Sequence, residues 1–186
     1  DRHGHAVGDR VIQEVARKLH QASRSGDLVC RYGGEEFCLV VPGAELQQAM
    51  AFAERVRSNV ERECAAALRD IEGLHVTISL GVDVLKDPFP TPAGLIDRAD
   101  QGLYRAKRSG RNRVCAYEPE ELALPEPKLE PQAAPQAPAE LARPTGCLNR
   151  RELDAALENA LREQQGSDGT VGCMMLGVDA MQAIND

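Results

Sequence analysis

The chain has 186 residues, of which 42% are hydrophobic and 27% charged, the balance of one soluble globular domain with a tail or linker. A formal net charge of −7 excludes nucleic acid as the main partner, because phosphate-backbone binding needs a surplus of Lys and Arg. The six cysteines form no close Cys-x-x-Cys pair and no apolar run reaches about 18 residues, so the expectation is a reduced, cytoplasmic chain without zinc, disulfide frame or membrane segment.

In chain order, residues 1–10 predict a loop, with Asp9 placed to cap the helix that follows and His3 and His5 as loop residues rather than metal ligands. Val11, Ile12, Val15, Ala16 and Leu19 make an apolar stripe at helical spacing. After the polar turn Ser23-Arg24-Ser25-Gly26-Asp27, the apolar runs 28–30 and 37–41 predict a β-hairpin with Gly33-Gly34-Glu35-Glu36 at its tip. Two glycines there allow positive φ and let a ligand approach bare backbone. Two adjacent acids suit Mg²⁺ held through oxygen and shared with phosphates.

A second helix carries Leu46, Met50, Phe52, Ala53, Val56 and Val60, and 75–84 is a β-branched strand. A proline-broken loop leads to a third helix over 95–108, stopped by Gly110, and 111–117 reads as a short final strand. Residues 118–143 are rich in Pro, Ala, Glu and Gln and form a semi-extended linker. Order resumes in 144–186 with a helix through Leu153, Ala156, Leu157, Ala160 and Leu161, a turn at 166–169 and a strand at 171–179. Alternating helices and strands predict a mixed α/β (α+β) sandwich on one sheet.

Arg31-Tyr32-Gly33-Gly34-Glu35-Glu36-Phe37 resembles the signature of the GGDEF domains, the bacterial diguanylate cyclases. Gly4-His5-x-x-Gly8-Asp9, the strand 77–81, Ala99-Asp100-x-x-Leu103-Tyr104-x-Ala106-Lys107 and Gly110-Arg111-Asn112-Arg113 support the likeness over residues 1–117. A second piece, 144–186, resembles the opening of the same domain, through Thr145-Gly146-x-Leu148-Asn149-Arg150-Arg151 and Ile184-Asn185-Asp186. Joined end to start, the chain holds each part of one such domain once. A circular permutant, a fragment of two tandem copies and a protein of reordered pieces all produce this order. In each, 171–179 is expected at the sheet centre beside the hairpin.

The resemblance implies a nucleotidyl-cyclase-like fold and a homodimer that condenses two GTP into cyclic di-GMP with Mg²⁺ or Mn²⁺. It makes Glu35 a metal ligand, gives Glu36 the hydroxyl or a second metal, and leaves room for nucleotide at Gly33 and Gly34. Asn185 and Asp9 are implied as guanine readers, and Lys107 and Arg111 as a phosphate clamp. Arg24 and Asp27, with Arg55 from the second helix, resemble an inhibitory product site.

One departure stands out: the family's Asp-x-Asp is here Gly177-Val178-Asp179, and Met181-Gln182 replaces Phe-Lys. Asp179, on the same strand face as Gly177 and about 6.6 Å along, is then expected to bind metal in place of the lost ligand. Two further functions follow: a degenerate domain that binds GTP or cyclic di-GMP and signals through partners, and a cyclase of other nucleotide specificity.

Overall fold

The computed structural model describes residues 4–71, 73–85, 91–119, 145–164 and 169–179. Its elements are α1 (Gly4–Ala22), β1 (Leu28–Arg31), β2 (Glu36–Pro42), α2 (Leu46–Ala67), β3 (Thr77–Leu85), α3 (Pro92–Arg108), β4 (Val114–Ala116), α4 (Arg150–Gln164) and β5 (Val171–Asp179). The predicted linker core, most of the 166–169 turn, Met181, Gln182 and Asn185 lie outside the described residues.

The strands form one mixed sheet in the order β1-β2-β5-β3-β4. Strand β5 runs antiparallel to β2 on one side and to β3 on the other, and β4 joins β3 in parallel. All nine residues of β5 are buried, which explains why its sequence is an unbroken apolar run rather than an alternating one.

Period-two alternation divides the sheet's side chains between two cores. Phe37, Leu39, Ile78, Leu80, Met174 and Leu176 meet the stripes of α1 and α2. Cys38, Val40, Cys173 and Met175 meet α3 and α4. The 145–149 segment lies along the outer edge of β1, where Arg31 N donates to Leu148 O at 2.9 Å and Leu148 N donates to Val29 O at 2.9 Å. That contact covers a strand edge, and α4 then starts on a reciprocal cap: Glu152 N donates to Asn149 Oδ1 at 3.0 Å and Asn149 N to Glu152 Oε2 at 2.8 Å.

Two expectations need correction. Residues 4–10 are helical rather than loop, so Asp9 lies inside α1 and caps nothing; Val7, packed on the core, and buried Gly8 extend the apolar stripe by one turn. The last strand begins only at Val114, because Gly110, Arg111 and Asn112 have φ of 112°, 59° and 45°, a left-handed run that no strand can contain.

Candidate active site

Helix α3 is set onto the sheet by glycines. A Cβ on Gly81 would lie 2.0 Å from both Ala99 O and Leu103 N, and one on Gly102 would lie 3.0 Å from Gly81 Cα. Backbone therefore packs on backbone, and the C-terminal turn of α3, with Arg105, Lys107 and Arg108, comes down over the end of β5.

There it meets the hairpin tip. Tyr32 N and Gly33 N donate to Glu36 O at 2.8 and 3.1 Å, and the Arg31 guanidinium donates to Gly34 O at 2.6 Å. Neither Gly33 nor Gly34 has positive φ, contrary to expectation; the turn is closed by these bonds instead. The glycines serve space. A Cβ at 33 would stand 3.4 Å from Glu36 Oε2, and one at 34 would meet nothing within 4 Å, leaving an open approach.

Glu36 is the first residue of β2, directly paired with Gly177 of β5, which is paired in turn with Ser79 of β3. Lys107 Nζ lies 3.1 Å from Glu36 Oε1. Glu35 is half-buried and its carboxyl is held above the ordinary 4.5, by loss of hydration first; Lys107 opposes the shift, and Glu36 and Asp179 add to it. Asp100, on the rim, is raised by loss of hydration and then by Glu36. It stands two turns before Lys107 on α3 and was given no role from sequence.

Asp179 is held by hydrogen bonds from β3 and from the turn after α3. It accepts from Thr77 Oγ1 at 2.9 Å, Ser79 Oγ at 2.8 Å and Asn112 N at 3.1 Å. Among the described residues no three His, Cys, Asp or Glu side chains are gathered to hold a metal. Glu35 and Glu36 by themselves fit a divalent ion that keeps one or two carboxylates and takes its remaining oxygens from phosphates and water.

Asn112, like Asp100, appears in a sequence motif but carries no role that the sequence assigns. Its Oδ1 accepts from Arg57 Nη1 at 2.6 Å, and its Nδ2 donates to Glu61 Oε1 at 2.7 Å. With its amide on Asp179, it ties α2, β5 and the turn carrying Arg111 together. An Asn two residues beyond a helix-ending Gly was the available signal, since Asn tolerates left-handed backbone.

Asp9 is exposed on α1 and its charge reaches Arg31, whose proton affinity is lowered by burial, with Asp9 opposing part of that shift. At the other end of β1, Arg24 N donates to Asp27 Oδ2 at 2.7 Å, and Arg55 Nη2 reaches Ala22 O at 3.4 Å across the same turn. Arg24, Asp27 and Arg55 therefore share one surface, separated from the acidic tip by the length of β1. No helix among the described residues is long and apolar enough to cross a membrane.

These features define a mixed-sheet α+β domain with paired glutamates on a hairpin tip facing a cationic helix end. Residues 1–113 match the family model described as the diguanylate cyclase GGDEF domain, and the chain belongs to that family. The response regulator PleD of Caulobacter vibrioides is 45% identical over 114 residues, 61% of this chain and 25% of that protein. Diguanylate cyclase A of Treponema denticola is 40% identical over 114 residues, 61% of this chain and 30% of its own length. Diguanylate cyclase DgcM of Escherichia coli K12 is 40% identical over 116 residues, 62% of this chain and 27% of its own. The match thus spans between about a quarter and a third of these relatives.

Proposed function

We propose that this chain is a diguanylate cyclase that joins two GTP molecules into cyclic di-GMP and releases two pyrophosphates, working as a homodimer with a divalent metal in the cytoplasm. The observation that carries the reading is the Glu35-Glu36 tip with Lys107 3.1 Å away, in a chain of the GGDEF family. The 3′-hydroxyl of each GTP attacks the α-phosphorus of the other, so each site needs in-line placement and charge neutralisation more than a covalent group of its own.

In this reading Glu35 and Glu36 share the metal with the phosphates, and Glu36 also orients the attacking hydroxyl. Mg²⁺ or Mn²⁺, when bound, supplies positive charge to the phosphates. Gly34 leaves the phosphates room against bare backbone. Lys107 and Arg111 bind phosphate oxygens, and Asp9, with Asn185, accepts from and donates to the guanine edge. Arg24, Asp27 and Arg55 hold product at the far end of β1 and lower activity as cyclic di-GMP accumulates; an Arg fork and a carboxylate suit phosphate and guanine N1–H. Residues 145–179 complete the same domain, which fits β5 lying between β2 and β3.

The test is to incubate the chain with GTP and Mg²⁺ or Mn²⁺ and measure cyclic di-GMP and pyrophosphate. Product is expected, and more of it from Arg24→Ala. A folded Arg24→Ala chain that yields none would sink the enzyme reading. A second reading, a domain that binds GTP or cyclic di-GMP without turnover, draws on Gly177, which supplies no carboxylate. It predicts nucleotide binding with no product. ATP consumed as readily as GTP would count against the guanine readers.

A further inference from the structure

Lys107 and Gly177 make a contact that the reading above does not require. A Cβ on Gly177 would lie 2.8 Å from both Cε and Nζ of Lys107. The end of the lysine thus fills the space where any other side chain would begin. The same ammonium is 3.1 Å from Glu36 Oε1, and Glu36 is the residue paired across the sheet with Gly177. The charged groups around it are Glu36, Glu35 and Asp100. Helix α3 is held at this height by the Gly81–Gly102 backbone contact, so the lysine is delivered to the corner by packing and not by an excursion of its own.

We propose that Gly177 determines which cation neutralises Glu36. With no side chain at 177, the Lys107 ammonium takes the place beside the carboxylate, and a divalent ion reaching Glu36 has to displace it. An ammonium and a divalent ion 3–4 Å apart repel strongly in a part-buried corner. The tip therefore holds a divalent ion weakly until a ligand's phosphates draw Lys107 off Glu36 and bring the ion with them. Metal and nucleotide then bind with positive coupling, each tightening the other by the same factor. The inference rests on the GTP-and-metal reading of this site, but its test needs no turnover.

The test titrates the whole chain with Mn²⁺ alone, following free ion by electron paramagnetic resonance. Lys107→Met keeps the stem over Gly177 and removes the charge. Gly177→Ala puts a methyl 2.8 Å from both Cε and Nζ, close enough that the far end of the flexible lysine has to move away. Both variants are expected to bind Mn²⁺ about tenfold more tightly than the native chain, with cooperative melts confirming their fold. Unchanged or weaker binding in either folded variant overturns the proposal, as does the absence of measurable Mn²⁺ binding in all three chains. Cyclic di-GMP formation reports separately: tightened Mn²⁺ binding without product leaves this inference standing and removes the enzyme reading. Product with unchanged Mn²⁺ binding does the reverse.

Discussion

Asn112 allows its side-chain and backbone contributions to be separated by two substitutions. Its side chain makes a 2.6 Å bond to Arg57 and a 2.7 Å bond to Glu61. Sheltered bonds to charged partners contribute roughly 1.5–3 kcal/mol each; Asn112 is only half-buried and Glu61 lies at the surface, so screening brings each to about 1 kcal/mol. Its φ of 45° adds about 1 kcal/mol for any ordinary residue that Gly avoids. Asn112→Ala is therefore expected to cost about 3 kcal/mol and Asn112→Gly about 2 kcal/mol.

At roughly 2–4 °C per kcal/mol, the melting point falls by about 6–12 °C for Ala and about 4–8 °C for Gly. Thermal unfolding of the two variants checks the order, and nucleotide binding checks the consequence, since Arg111 loses the anchor of its neighbour in both. A Gly variant no more stable than the Ala variant would refute the reasoning, because left-handed backbone would then not constrain this turn.

Gly81→Ala places a Cβ 2.0 Å from backbone atoms of α3, so its cost should exceed the roughly 1–3 kcal/mol usual for overpacking; a melting point within a few degrees of native would contradict the packing described. Five of the six cysteines are buried and only Cys115 is partly open, with burial pushing Cys30 and Cys64 up to about 12. Brief alkylation of the native chain should label Cys115 alone, and rapid labelling of Cys147 or Cys173 would show that 145–179 does not pack as described. A chain cut after residue 117 loses Met174, Met175, Leu176 and Val178, all buried, at about 1.5–3 kcal/mol each. That sum rivals a whole domain's stability, so no cooperative unfolding transition is expected. The Glu61 carboxyl is held below its ordinary 4.5 by the bond from Arg57 and then that from Asn112. A lowered folded-state value stabilises above pH 4.5 and is lost as pH falls through it, so Glu61→Gln should flatten the acid limb of stability measured by urea midpoints.

Much of the fold was legible because its signals are local. The apolar stripe through Val11, Val15 and Leu19, the β-branched run before Gly81 and the all-apolar 171–178 each name their element by period or its absence. The start of α1 was not legible, since Gly4 and Gly8 read as loop residues and only tertiary burial of Val7 and Gly8 keeps the helix going. The 111–113 strand failed for the opposite reason. The run up to Tyr117 suits a strand only from Val114, and the αL run before it is fixed by Asn112 bonding to α2 and β5, partners 51 to 67 positions away in the chain.

The site follows the same division. The paired glutamates and the glycine at 177 are plain in the sequence, and so is the deficit of one carboxylate. What enters the space at 177 is not, because that depends on how closely α3 approaches the sheet. Gly81 and Gly102 set the approach at backbone contact, and only at that height does a lysine five residues after Gly102 reach across β5 to the hairpin. Asp179, two residues beyond Gly177 on the same face, is expected as a substitute ligand because strand geometry allows it. Its bonds from the hydroxyls of Thr77 and Ser79, on a strand about 100 residues distant in sequence, were beyond the reach of that reading. A missing side chain can be read from one position, whereas its replacement has to be read from the three elements that close around it.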